Sequence, residues 1–545
     1  MKNLTWQNPE QLFVAQELIN KVKSKCCGIK VFLNSTQSMK KIKNLFIIAS
    51  IYVAGCTSAP PIYYLDATNG DDTNSGLSAD HAWKTLKRTE NLSLEKGAKL
   101  LLKRGDTFKG ELRITGKGDS QAPIIIDAYG EGKQKPRIIG NDSSMYAVCI
   151  SNSDYLTIQN LEIINTGKKT LAGRTGLKVE CMNYGVSHNL RINNITVRDV
   201  NGSLIKEEGG GSGILIVNGG DSIRSRFDSL TIENCHILRC ARNAMIWSGY
   251  YDRKNWYPNT HTIVRKNLIE EVPGDGIVPI GCDSTLIEYN LMCNSPDTLP
   301  MTEAAAGIWP WSCDNTIIQY NEVSHHKAPW DAQGFDSDYN CQNTLIQYNY
   351  SHDNYGGMVL ICNSGEAGDY SCGNIGSVIR YNISIGDGIR PKETRQGMFS
   401  PGIHIAGPVR RTLIERNIVH ANHKPCTTTD RTMITSDSWN GYADSTCFRQ
   451  NIFYAAEPSR FDLTSSTHNI FEQNAYIGKF KNQPEHSPNL KAENIYKTKV
   501  LDISADGYKG LYHLMDSIAI KDRKLHYINP KRAEIFFNTI FVETK

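Results

Sequence analysis

The chain has 545 residues, 40% of them hydrophobic, and sets 60 Lys and Arg against 56 Asp and Glu for a formal charge of +4. That balance excludes a polybasic nucleic-acid-binding surface and an acidic interaction tail. The hydrophobic content is ordinary for a soluble protein.

Residues 1–38 carry no pattern that accounts for them, and Met39 is expected to be the true start. Residues 39–56 read as an export signal. Met39-Lys40-Lys41-Ile42-Lys43-Asn44 is basic, 45–54 is largely apolar, and Gly55-Cys56 closes the segment. The apolar stretch is too short to span a bilayer. Val53-Ala54-Gly55-Cys56 resembles a bacterial lipobox. That resemblance implies lipidation of Cys56, a lipid anchor in a membrane, and an exported protein at the outer membrane or cell surface.

Residues 57–150 are expected to be an N-terminal capping segment, 151–480 a repeat, and the Lys-rich 481–545 a C-terminal cap or tail. The repeat is marked by eleven asparagines, each closing a short apolar phrase: Asn160, Asn194, Asn234, Asn267, Asn290, Asn321, Asn349, Asn382, Asn417, Asn451 and Asn474. The phrases (155–159, 231–233, 316–320, 344–348, 411–416) alternate apolar and polar residues, as a strand with one buried face does. Half a unit later comes a second run, often led by glycine: Gly213, Gly276, Gly307, Gly334, Gly357 and Gly402. Short strands in units of about 20–35 residues predict an all-β parallel β-helix of about ten or eleven coils. All eleven asparagines are read as an internal ladder, their amides bonding from coil to coil.

The opening phrases Tyr63-Tyr64-Leu65-Asp66-Ala67-Thr68-Asn69-Gly70-Asp71-Asp72, Trp83-Lys84-Thr85-Leu86 and Arg104-Gly105-Asp106-Thr107-Phe108 add to this pattern. With them the chain resembles the right-handed parallel β-helix proteins of the pectate-lyase-like superfamily over roughly residues 62–480. The resemblance implies a single-stranded right-handed solenoid of the secreted polysaccharide lyase or glycoside hydrolase type. Cys282, Cys313, Cys341 and Cys362 follow successive second runs and are read as a stack inside the helix.

Alignment of the second runs on their glycines puts Ile214, Ile277, Ile308, Phe335, Met358 and Ile403 inward. The outward positions are then Trp309 and Trp311 on one coil, Asp336 and Asp338 on the next, Val359 and Ile361 after them, and His404 and Ala406 last. Coils stack about 4.8 Å apart, so indoles and carboxylates should share one patch. Residues i and i+2 stand roughly 6.6 Å apart on a strand, near the spacing of an inverting glycosidase pair, about 6.5–9.5 Å. Two like charges on one strand face conflict with strand stability, which marks the pair for function.

The first reading is an exported glycoside hydrolase cleaving a polysaccharide, with Asp336 and Asp338 as the acid/base pair and Asp331 or Asp353 as alternative partner. Trp309, Trp311, Trp330, Glu303, His325, His326, Tyr355 and His404 are the candidate sugar-binding residues. The second is a calcium-dependent lyase on uronic-acid chains, with Asp331, Asp336, Asp338 and Asp353 as a Ca²⁺ cage and Lys327, Arg390, Lys392 or Arg395 as base. The third is a non-catalytic glycan-binding surface solenoid. No cofactor is expected for hydrolysis, and the protein is expected to act as a monomer.

Overall fold

The structure is a computed structural model that describes residues 59–364, 372–391, 398–421, 431–484 and 508–541. The predicted export signal, with Cys56, lies outside the described residues, as do Lys392 and Arg395. Among the described residues no helix is long and apolar enough to cross a membrane.

The asparagine-closed phrases form one wall of a parallel β-helix. Each offers a single inward apolar residue, and these meet in register: Ile158, Ile192, Ile232, Val264, Ile287, Ile318, Ile346, Ile379, Ile414, Phe448 and Phe471. All are buried. Each such side chain contributes about 1.5–3 kcal/mol by burial, and only stacking of neighbouring coils supplies it. Three rungs of the same sheet, Ile62–Leu65, Lys99–Lys103 and Ile124–Tyr129, precede the first asparagine-marked phrase. Parallel crossovers of this kind wind right-handed.

The asparagines fall into two classes rather than one. Every repeat turns its corner through a residue in the left-handed region. In the first three that residue is the asparagine itself, Asn160 (φ 60°), Asn194 (φ 53°) and Asn234 (φ 56°), and its side chain points out. From Lys266 onward another residue takes that conformation and the asparagine after it points in. Asn267, Asn290, Asn321, Asn349, Asn382, Asn417, Asn451 and Asn474 are buried and joined amide to amide at 2.9–3.1 Å. The internal ladder thus has eight members. Asn is suited to both tasks, because it tolerates positive φ and carries both donor and acceptor.

The second runs form another wall through Ser212–Gly219, Asn243–Ser248, Ile277–Val278, Phe335–Ser337, Val359–Cys362 and Ile403–Ala406. Ile308 bridges Ile277 and Phe335. The glycine alignment holds except at Gly357. There Phe335 pairs with Val359, not Met358, and Val359 with Ile403. The doubled Gly356-Gly357 takes up the extra residue, and a Cβ at Gly357 would stand 1.8 Å from the Pro401 carbonyl oxygen. The outward pair on this coil is therefore Leu360 and Cys362. Cys282, Cys313 and Cys341 stack inside as expected, but Cys362 leaves the stack.

The C-terminal segment packs along the flank of the helix. Tyr289, Tyr320, Tyr348 and Tyr381, all at left-handed corner positions, stack at 5.0–5.5 Å. Tyr527 meets Tyr289 and Phe537 meets Tyr381 edge-on. Helices Tyr508–Ile518 and Pro530–Ile540 bury Leu514, Ile518, Phe536 and Phe537 against Ile383, Ile418, Ile452 and Ile477.

Candidate active site

The outward face of the second-run wall runs Trp309, Asp336, Leu360, His404 along one column and Trp311, Asp338, Cys362, Ala406 along the next. Indoles and carboxylates share this wall, as expected. The face is not open, because corner segments fold over it. The short strand Ala304–Ala305 pairs with Trp330–Asp331. Leu299, Ala305, Ala328 and Ala332 form an apolar cluster, with Leu204 and Tyr355 packed against it.

Asp331 reaches the face from such a segment. It and Ala332 adopt left-handed backbone (φ 56° and 61°), a conformation costing about 1–2 kcal/mol for a residue with a Cβ. The buried Arg390 guanidinium holds them there by donating to the carbonyls of Ala328 (2.9 Å), Pro329 and Asp331 (3.0 Å). Ala332 N–H donates to the Ala305 carbonyl at 2.8 Å. Strain over-determined in this way is a mark of functional positions.

Asp331, Asp336 and Asp338 form one electrostatic cluster with distinct environments. Burial, reinforced by Asp331 and Asp338, raises Asp336 well above the usual carboxylate range. Asp336 is 3% exposed and its Oδ1 has no hydrogen-bond partner. Burial also pushes Asp331 up to about 6, with Asp338 adding to the rise and His404 and Arg390 opposing it. Asp338 is raised by burial but is offset by donors: the Cys362 thiol at 3.0 Å, the Tyr339 N–H at 2.6 Å and the charge of Lys206. Asp331 and Asp338 are half-buried, whereas Asp336 is buried. The conflict between two like charges on one strand is eased by the burial that raises Asp336 and favours its protonated form.

A second charged group braces the indole floor. Arg242 donates to Asp275 Oδ2 at 2.7 Å and lies 3.3 Å from Glu303 Oε2. Asp275 Oδ1 accepts Trp309 Nε1–H at 3.0 Å and Ala306 N–H at 3.1 Å. Glu303 accepts Lys206 N–H at 2.9 Å, and the Lys206 ammonium lies 5.8 Å from the centre of the Trp309 ring. Trp309 and Glu303 are thus largely buried, framework residues more than open sugar contacts. Trp311 is half-buried and stacks on Tyr251.

Other expected residues lie elsewhere. Asp353 belongs to a different wall, where its Oδ2 meets His352 Nδ1 at 3.0 Å and His352 Nε2 meets Glu322 at 3.0 Å. It follows strand Tyr350–His352, which pairs with Glu322–Ser324 and not with Phe335–Ser337, so its carboxylate is grouped with His352 rather than with the other three aspartates. His325 stands with His352, edge-on at 5.8 Å. His326 is fully buried and pairs Nε2 with the Gly274 carbonyl at 2.8 Å, and burial lowers its pKa, so it is a neutral framework residue. Arg390, locked on three carbonyls, is no candidate base. Trp330 and Tyr355 are half-buried in the covering segments, and His404 pairs Nε2 with Asp437 at 3.0 Å beside Phe399 and Trp439. Sequence reasoning missed Cys362, which the Gly357 register placed inside, and Lys206, Tyr251, Tyr339 and Trp439, which lie outside the aligned columns.

Comparison with known proteins agrees with this architecture. The family described as right handed beta helix region matches residues 212–383. Lacto-N-biosidase of Bifidobacterium longum subsp. longum is 28% identical over 451 residues, 65% of this chain. The chain spans 27% of that protein's length. The crystal structure of GH136 lacto-N-biosidase from Eubacterium ramulus matches with a TM-score of 0.56 at 22% identity, covering 86% of this chain and 74% of that one. The fold is a right-handed parallel β-helix.

Proposed function

We propose that this chain is a glycoside hydrolase in which Asp331 is the general acid and Asp338 the ionised carboxylate, acting on a glycan with a lacto-N-biose-type unit. The observation that carries the reading is the difference in environment between the two half-buried carboxylates. Burial alone dominates at Asp331, so its proton is retained to about pH 6 and is available to a leaving oxygen. Burial raises Asp338 too, but two donors, the Cys362 thiol and the Tyr339 N–H, and the Lys206 charge oppose that rise and favour its charged form. Two carboxyl groups, one raised by burial to about 6 and one whose rise is opposed by donors, suit the proton donor and the base or nucleophile that glycoside hydrolysis requires. The substrate class is supported by the similarity to the Bifidobacterium lacto-N-biosidase. Export and lipidation at Cys56 belong to the same reading, supported by the sequence of residues 39–56.

The test uses an aryl lacto-N-bioside and oligosaccharides carrying the same unit, with and without EDTA. Hydrolysis yields reducing ends without unsaturated product and is indifferent to EDTA. Asp338→Asn should lose about 10²–10⁴-fold on every substrate. Asp331→Asn should lose as much on the oligosaccharides but less on the aryl glycoside, whose phenolate leaves without a proton. Unsaturated products, or full activity in either variant, would sink the assignment.

A further inference from the structure

One insertion touches the site as described only through Tyr251. Residues 249–258 leave the wall after Asn243–Ser248 and fold over later coils. Arg253 anchors them, donating to Asp314 Oδ1 at 2.8 Å and to the Asn340 carbonyl, with its guanidinium 4.1 Å over Trp256. Trp256 Nε1–H points to the Ser312 carbonyl at 3.4 Å, and Ser312 Oγ donates to the Tyr251 carbonyl at 2.5 Å. The outcome is a tyrosine that is 52% exposed yet held nearly parallel to Trp311, with ring centres 5.0 Å apart and planes 18° apart. Trp311 occupies the strand position that Asp338 takes one coil later.

An aromatic ring fixed flat by a tied-down loop, with its outer face in water, offers a partner an apolar plane at little entropic cost. The surroundings suit a sugar better than a protein. Arg253 and Asp314 lie beside the platform, and Arg224 lies over Tyr250 and Tyr257 at 5.3 and 4.7 Å. A pyranose has an apolar face for the ring and hydroxyls for such charged neighbours. We infer that Tyr251, backed by Trp311, forms an additional sugar-stacking subsite for the same glycan, about one to two coil spacings of 4.8 Å from Asp338. The inference rests on the glycoside hydrolase reading for the identity of its ligand. It adds that the enzyme grips its substrate beyond the bond it cuts.

The full chain and its Tyr251→Ala and Tyr251→Phe variants are compared on the aryl lacto-N-bioside and on oligosaccharides extended from either end of that unit. Tyr251→Ala should lower kcat/KM on one extended series by about tenfold relative to the aryl glycoside, the equivalent of ~1.4 kcal/mol for one ring stack. Tyr251→Phe keeps the ring and should keep the ratio, which separates a stacking role from loop collapse. An unchanged ratio in both series overturns the subsite and leaves the hydrolase standing. If the wild type cleaves nothing, the same oligosaccharides are titrated by tryptophan fluorescence. Binding weakened in Tyr251→Ala then keeps the subsite while the hydrolase falls, and equal binding in both proteins overturns the subsite.

Discussion

The Cys362 thiol donates to Asp338 Oδ1 across 3.0 Å, from the strand position directly beside it on the next coil. A thiol is a weak donor, yet against the burial that raises Asp338 it is the largest opposing influence. Cys362→Ala should therefore move the acidic limb of the kcat/KM–pH profile upward, by up to about one pH unit. Cys362→Ser, which keeps a donor, should restore it. Identical limbs in the wild type and the alanine variant would show that the contact does nothing for the carboxylate.

Asp331 sets the opposite limb. It acts only when protonated, and burial raises it to about 6. Activity should fall as pH rises through that value, giving an optimum on the acid side of neutrality. The measurement is kcat/KM on an unactivated oligosaccharide across pH 4–8, about two pH units either side of that value. An optimum above pH 7.5 would contradict the assignment of the acid.

Asp336 yields a stability prediction. Its folded pKa is raised above the unfolded 3.8. Between those values the folded state holds a proton that the unfolded chain lacks, so stability falls as pH rises. Asp336→Asn removes that slope. Its melting temperature should approach that of the wild type at pH 5 and exceed it at pH 8, because the wild type loses about 1.4 kcal/mol for each pH unit climbed within that window. A constant offset between the two proteins at both pH values would mean that Asp336 is ionised throughout.

Much of the solenoid was legible because its period is written in single residues. A lone inward apolar residue per phrase and a turn-forming Asn cannot satisfy a helix. The two asparagine classes were also legible in principle. Asn194 and Asn234 stand two residues after the inward Ile192 and Ile232, whereas Asn290 and Asn321 stand three after Ile287 and Ile318. The extra residue takes the left-handed corner and turns the asparagine inward. The wall carrying the site was legible for Trp309, Trp311, Asp336 and Asp338, because alternation sorts faces reliably. What failed was what alternation does not encode. Gly356-Gly357 shifts one coil by a residue, and the corner segments bring Asp331 and Arg390 over the wall by long-range packing.

That distinction can be tested on the ladder itself. Asn349 accepts from Asn321 N–H and Nδ2–H at 2.9 and 3.1 Å, and donates to Ile318 O and Asn382 Oδ1 at 2.9 and 3.0 Å. Asn349→Ala strands buried partners, each costing about 1–3 kcal/mol, so a loss above ~2 kcal/mol is expected in denaturant unfolding. Asn194 is exposed at φ 53°. Asn194→Gly should be nearly neutral, while Asn194→Ala should cost about 1–2 kcal/mol for the left-handed backbone. Equal costs at positions 349 and 194 would mean that the two classes do not differ.

The C-terminal segment is fastened by a second buried group whose stabilisation is also lost as pH rises, in a higher window. Glu322 accepts the His526 N–H at 2.6 Å with one oxygen and meets His352 Nε2 at 3.0 Å with the other. Burial disfavours charge on His352, but its hydrogen bonds to Asp353 and Glu322 outweigh that and raise it to about 9. A histidine raised from 6.5 contributes stability that is fully present below 6.5 and is lost as pH rises through about 9. Alkaline pH should therefore loosen the hairpin formed by Ala519–Asp522 and Leu525–Ile528 before the helix unfolds. Limited proteolysis at pH 7 and at pH 10, about one pH unit past that value, should show faster cleavage within 508–541 at the higher pH. His352→Gln should show the fast rate at both. Equal protection of the wild type at the two pH values, after correction for protease activity, would exclude His352 as the fastening charge.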